Sequence, residues 1–220
     1  MIKSQKALTE VESKALLRRA GIPVVEAKLA RSKKEAVSTS KEMGFPVVLK
    51  INSPDVIHKS DAGGVKLGLA NGTQVGKAYS DIMSSIKKAY PDARVEGISV
   101  QRMAAPGVEV IVGMSKDPQF GPVIMFGLGG ILVEVLKDVS FRIVPVSERD
   151  AGEMIREIKG YPILEGYRGQ KPASIPALEK LIVKVSEFVE KNNQIGELDL
   201  NPVFAYPDTA VVVDARIILE

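Results

Sequence analysis

One stretch of the chain gathers residue types suited to chemistry on an anion. Val47-Val48-Leu49-Lys50 reads as an apolar strand ending in a lysine, and a polar loop follows that holds the single histidine, His58. The loop closes on Gly63-Gly64 and re-enters a second short strand. Lys50 can set a compact positive charge against phosphate oxygens. Gly63 and Gly64 have no Cβ to keep backbone N–H groups away from an anion. Histidine is the side-chain type whose unperturbed pKa lies near neutrality, and the neutral ring nitrogen of His58 can attack phosphorus and carry a phosphoryl group covalently. A histidine hydrogen-bonded at the surface of a loop would look the same, so this stretch by itself leaves both readings open.

A second group lies near the C-terminus. Glu197-Leu198-Asp199-Leu200-Asn201-Pro202 alternates polar and apolar residues, which in a strand puts Glu197, Asp199 and Asn201 on one face. Asp214 follows the apolar run Ala210–Val213. Mg²⁺ takes hard oxygen ligands and commonly uses one or two carboxylates beside substrate phosphates, which makes Asn201 and Asp214 on adjacent strands candidate ligands. A solvated strand face with a turn aspartate is the alternative. Arg142 lies on an apolar strand and needs an anionic partner, either an internal carboxylate or a transferred phosphoryl group. Glu109, among apolar neighbours, could hold ribose hydroxyls or be a paired structural charge. Gln101-Arg102-Met103 would then supply backbone that reads an adenine edge. Gly127-Leu128-Gly129-Gly130 is either a phosphate-approaching loop or a glycine-rich turn. No Lys-Ser/Thr follows it, so it is not a Walker A sequence.

The elements that must position these residues alternate at first. A helix over 9–20 has capping-box spacing at Thr9 and Glu12, stops at Gly21 before Pro23, and would bury Leu16, Leu17 and Ala20. A strand at 24–29 follows, then a helix opened by Ser32 and Glu35 that ends at Gly44. The strand 46–51 delivers Lys50, and 65–70 is the next strand. A helix from about Thr73 to Tyr90 carries Val75, Ile82 and Ile86 on one face. From 96 to 146 the pattern is β, with strands at 97–103, 108–115, 121–126 and 138–144. Helices return at 148–158, capped by Ser147, and at 176–192. The latter carries a stripe of Leu178, Leu181, Ile182, Val185, Phe188 and Val189. Strands at 195–200, 202–206 and 209–214 end the chain. The reading is α+β in two lobes, 23–95 and 1–22 plus 96–220, within one domain spanning 1–220.

Composition narrows the class. The 220 residues are 45% hydrophobic and 26% charged, ordinary for a globular protein. No apolar run approaches the ~18 residues of a membrane span, and the N-terminus lacks a signal-peptide core, so a cytoplasmic location is expected. With no Cys there is no disulfide framework, thiolate nucleophile or Cys-type zinc site. The 30 basic and 27 acidic residues are interspersed, and no basic block carries interleaved aromatics, which argues against nucleic acid as a partner.

Taken together, these segments resemble a known family. They are Glu12–Pro23, Ser53–Val65 around His58, Asp117-Pro118-Gln119-Phe120-Gly121-Pro122, Phe126–Gly130 and Glu197–Pro202. The chain resembles the ATP-grasp β subunit of ADP-forming acyl-CoA (acetyl-CoA) synthetases, relatives of succinyl-CoA synthetase, over nearly its full length. The resemblance implies a two-lobed ATP-grasp fold with ATP or ADP held between the lobes and Mg²⁺ as cofactor. It implies that Lys50 contacts ATP phosphates and that Gln101, Met103 and Glu109 surround adenine and ribose. Asn201 and Asp214 match the Mg²⁺ ligands, and His58 matches a phosphohistidine that relays a phosphoryl group between the partner subunit and ADP. Asp199 stands where an acid could hold that imidazole, while Arg142 and Glu134 match less closely. The implied partner is a CoA- and acyl-binding α subunit in an α2β2-type hetero-oligomer, since this sequence has no G-x-G-x-x-G fingerprint and no second histidine. Two other functions remain: an ATP-grasp carboxylate–amine ligase, which has no use for His58, and a non-catalytic nucleotide-sensing module.

Overall fold

The structure is a computed structural model, and it describes residues 6–56, 58–130, 137–167 and 169–220. Glu134 lies outside the described residues. The chain divides into two compact units, one of Ala7–Lys14 and Val25–Ala105, the other chiefly of Ala15–Val24 and Pro106–Glu220.

A short strand, β1 (Lys6–Ala7), precedes helix α1 (Glu10–Arg19). Thr9 caps α1 reciprocally: its N–H donates to Glu12 Oε2 at 2.8 Å, and Glu12 N–H donates to Thr9 Oγ1 at 3.4 Å. Of the apolar side expected for this helix, only Leu17 is fully buried, and Ala20 is exposed. The buried face of the first turns is polar instead, formed by Glu10, Ser13 and Lys14.

The first unit continues with β2 (Ala27–Ala30), α2 (Lys33–Met43), β3 (Val47–Asn52), β4 (Val65–Leu69), α3 (Gly72–Ala89) and β5 (Gly97–Arg102). The strands form an antiparallel sheet ordered β2-β5-β3-β4. Helix α2 is capped by Ser32 and stops at Gly44, whose φ of 81° favours glycine. Asn71 caps α3, its side chain accepting from Gln74 N–H. Val75, Ala78, Ile82 and Ile86 of α3 pack with Leu49, Ile51, Ile98 and Val100 of the sheet. Each fully buried isoleucine contributes about 1.5–3 kcal/mol. The unit boundary falls after residue 105 rather than near 95, because β5 is hydrogen-bonded between β2 and β3. Residues 7–14 join this unit too, since Glu10 and Lys14 bond to Lys50 and Gln101.

The second unit contains β6 (Val108–Asp117), β7 (Gly121–Leu128), β8 (Val139–Ile143), α4 (Glu148–Glu157), α5 (Tyr161–Leu164), α6 (Ile175–Glu190), β9 (Ile195–Ala205), β10 (Ala210–Val212) and β11 (Arg216–Leu219). Their sheet is ordered β1-β11-β9-β6-β7-β8, with β10 also paired to β9. The whole expected stripe of α6 is buried. Two expected strands meet at Asn201-Pro202, yet β9 runs through both. Val110 and Val112 of β6 face Val203 and Leu200, so β9 carries one extra residue at that point, a bulge that accommodates Pro202. Adjacent rows across this sheet point to opposite faces. One row is Arg216, Asp199, Gly113, Met125 and Phe141; the next is Ile217, Leu198, Met114, Ile124 and Arg142.

Candidate functional site

In the first unit the site is built around a carboxylate. Glu10 has a fully buried side chain. Its Oε1 lies 2.8 Å from Lys14 Nζ and 2.9 Å from Lys50 Nζ, and its Oε2 lies 2.9 Å from Lys59 Nζ. Burial alone would raise the pKa of this carboxyl, but Lys50, Lys14 and Lys59 outweigh it and hold the group far below the usual carboxylate range. Lys14 also donates to Gln101 Oε1 at 2.6 Å. Lys50 is thus buried and ion-paired within β3, which runs on through Ile51 and Asn52, its ammonium positioned by an internal anion.

The loop between β3 and β4 ends in a tight turn over residues 58–64. Gly64 N–H donates to Lys59 O at 2.7 Å, Gly63 N–H to Ser60 O at 3.0 Å and Ala62 N–H to His58 O at 3.3 Å. A Cβ on Gly64 would come within 2.8 Å of both Ile51 Cγ2 and Lys59 O. Gly63 has a φ of 70°, and the two glycines spend their N–H groups closing the turn. The close approach that requires glycine at position 64 is to the chain itself. Within this frame Lys59 points inward to Glu10, while His58 is exposed. At the start of the loop, Asn52 is buried, and its Oδ1 has no hydrogen-bond partner among the described residues.

Gln101 lies in the middle of its sheet, opposite Ala27 on one side and Val48 on the other, and its buried side chain receives Lys14. Met103 is 39% exposed, and its N–H donates to Pro46 O at 3.0 Å. That N–H therefore already has a partner, which narrows the backbone edge expected at 101–103.

In the second unit the acidic group assembles at the bulge of β9. The N–H groups of Val213 and Asp214 both donate to Pro202 O, at 2.9 and 3.4 Å, which draws the end of β10 onto the bulge. Asp214 Oδ1 accepts from Ala215 N–H at 2.9 Å. The alternation expected in β9 is present: Leu198 and Leu200 are buried, and Glu197 and Asn201 are exposed. Burial, followed by the negative charges of Asp214 and Glu197, pushes Asp199 up to about 6, against a smaller opposing effect of Arg216. Carboxylates that raise one another's proton affinity in this way suit a cation. Among the described residues no group of three or more His, Cys, Asp or Glu is arranged to hold a metal. A site with few protein ligands and substrate phosphates completing the shell is the pattern Mg²⁺ favours, so the donors present fit that ion.

Glu109 is exposed on β6, and Gly129 N–H donates to its carbonyl at 2.7 Å. A Cβ on Gly129 would meet Glu109 Cβ at 3.0 Å, so this glycine loop is shaped to lie over Glu109. Arg142 does not join the acidic group. It stands in the row of buried Leu198, Met114 and Ile124, the opposite face from Asp199. There it forms a two-armed pair with Glu157 of α4, one arm at 3.0 Å, and its other near carboxylate is Glu153. Of the two anionic partners expected for it, the one present is a carboxylate of the same chain.

The residues missed from sequence are Glu10, Lys14 and Lys59. The i,i+4 spacing of Glu10 and Lys14 was a visible signal, but the contacts to Lys50 and Lys59 span 40 and 49 residues.

Comparison with known proteins gives a consistent picture. The ATP-grasp domain family matches residues 1–219. The β subunit of acetate–CoA ligase (ADP-forming) I of Pyrococcus furiosus is 55% identical over 214 residues, covering 97% of this chain and 92% of that protein. Acetyl-coenzyme A synthetase 1 of Ca. Korarchaeum cryptofilum, solved with coenzyme A, Ca-AMPCP and HgCl+, superposes with a TM-score of 0.96 at 52% identity, covering 98% of this chain and 94% of that one. The same enzyme with coenzyme A and Mg-AMPPCP, its phosphohistidine segment pointing towards the nucleotide-binding site, matches with a TM-score of 0.86 at 49% identity, covering 98% and 93%.

Proposed function

The chain belongs to the ATP-grasp family, and on that premise we propose that it is the β subunit of an ADP-forming acyl-CoA ligase. The reaction joins an acid to a thiol: acyl-CoA, ADP and phosphate interconvert with acid, ATP and CoA. The observation that carries the reading is the exposed imidazole of His58 next to Lys59, whose ammonium shares the Glu10 carboxylate with Lys50. A relative 55% identical to this chain is named as a β subunit, and a solved one 49% identical carries a phosphohistidine segment, which supports the same assignment.

In this reading His58 carries the phosphoryl group. Towards ATP, a terminal oxygen of the ADP β-phosphate attacks phosphorus, the P–N bond breaks, and the imidazole leaves neutral. Towards ADP, the neutral ring nitrogen attacks the γ-phosphorus of ATP, and the bond from phosphorus to the β,γ-bridging oxygen breaks. Phosphoryl transfer asks the protein mainly for position and charge. Lys50 neutralises the nucleotide's phosphates, and Gln101, Met103 and Glu109 surround adenine and ribose. Asn201 and Asp214 hold Mg²⁺, which when bound offsets phosphate charge. Asp199 is the acid that holds the imidazole of His58. Gly63 and Gly64 shape the turn that presents His58. The CoA and acyl sites belong to a partner subunit, in an α2β2-type assembly that the mass of the co-expressed complex would check.

The test is to incubate the co-expressed pair with Mg²⁺ and [γ-³²P]ATP and map the label by mass spectrometry. Acid-labile, base-stable phosphate on His58 is expected. An unlabelled chain under turnover would instead fit direct transfer from acyl phosphate to an amine, or a module that only binds nucleotide.

A further inference from the structure

We propose that Glu10 is a positioning residue for the phosphoryl relay: through Lys59 it docks the His58 loop to the carboxylate that also holds Lys50 of β3. This rests on the reading of His58 as the phosphoryl carrier.

The geometry joins three segments that are distant in sequence. Glu10 comes from the first turn of α1, Lys50 from β3 and Lys59 from the loop. The carboxylate divides its two oxygens between them, Oε1 to Lys50 and Oε2 to Lys59, both at 2.9 Å. Lys59 has 18% of its side chain exposed, and it is the residue next to an exposed histidine. Its carbonyl also accepts the Gly64 N–H that closes the turn. One residue thus ties the loop at two points, by side chain to α1 and by backbone to Gly64, while its neighbour stays free to react. Lys14 fixes Glu10 from the other side through the i,i+4 pair at 2.8 Å and is itself held by Gln101. The carboxylate is therefore braced from α1 and β5 before the loop engages it.

A charged hydrogen bond of this kind sets position as well as energy. An anchor so close to the reacting nitrogen affects phosphoryl transfer more than nucleotide binding, because small misplacements weigh on the transition state. Lys59 at the loop rim is also a safer place to cut the link than buried Glu10.

The experiment compares wild type, Lys59→Met and Lys59→Arg, each co-expressed with the partner subunit. It measures the rate of His58 labelling from Mg²⁺·[γ-³²P]ATP, the dissociation constant for ADP, and hydrogen exchange of the amides at 62–64. For Lys59→Met the labelling rate is expected to fall on the order of tenfold or more. Its ADP affinity should stay within about threefold of wild type, and the loop amides should exchange faster. Lys59→Arg, which keeps the charge, should recover most of the rate. Wild-type labelling in Lys59→Met would overturn the inference while leaving His58 as carrier. A rate loss matched by an equal loss of ADP affinity would overturn it too, making Lys59 a nucleotide ligand. Failure of the wild-type pair to label His58 would refute the functional reading itself, and unchanged amide exchange in Lys59→Met would remove the anchor on its own.

Discussion

Replacing Glu10 by glutamine removes the negative charge shared by Lys14, Lys50 and Lys59 while keeping the size of the side chain. The pocket it leaves is nearly dry: the lysine side chains are 2%, 7% and 18% exposed. Removing one partner from a buried ion pair typically destabilises by about 3–5 kcal/mol, because the remaining charge loses its compensation. Against a typical total of roughly 5–15 kcal/mol, that is a large share. The effect has a pH signature. The folded-state pKa of Glu10 is depressed, so its contribution is fully present above the ordinary carboxylate value of roughly 4.3 and is lost as pH falls below that towards the folded-state value. Urea unfolding followed by circular dichroism should therefore show a gap between wild type and Glu10→Gln that is widest near neutral pH and narrows on acidification to about pH 3. A gap under about 1 kcal/mol at neutral pH, or one that stays constant with pH, would refute the reasoning.

Other expectations follow from the same geometry. Arg142→Met should lower stability by less than about 1 kcal/mol, its partner Glu157 being half exposed, and should leave turnover within about twofold, as steady-state kinetics would show. Gly64→Ala should destabilise by about 1–3 kcal/mol in thermal melts and slow His58 labelling, since its Cβ would press on Ile51 and on the Lys59 carbonyl. Asp214→Asn should weaken Mg²⁺ dependence, raising the Mg²⁺ concentration for half-maximal labelling by about tenfold or more while unfolding remains near wild type.

The parts legible in the sequence were those whose causes are local. Thr9 with Glu12, Ser32 with Glu35, and the stripe of α6 each depend on residues within a few positions, and each helix formed where its caps and period placed it. The boundary between units was not local. It follows from β5 pairing with β2 and β3, which the change of texture after residue 95 does not reveal. At Asn201-Pro202, proline reads as the end of a strand, and only the bulge opposite β6 lets β9 continue. The face of Arg142 depended on register: its row is the one that α4 covers, a fact fixed by pairing with Ile124. Glu10 was hidden for a related reason, because its first-turn position reads as favourable to the helix dipole while its lysine partners lie far along the chain.

The relay depends on one imidazole, so the most direct measurement is the rate of ATP formation from acetyl-CoA, ADP and phosphate by the co-expressed pair with His58→Asn. If His58 carries the phosphoryl group, that rate falls by roughly a thousandfold or more while ADP still binds. ATP formation at the wild-type rate in the same variant would contradict it.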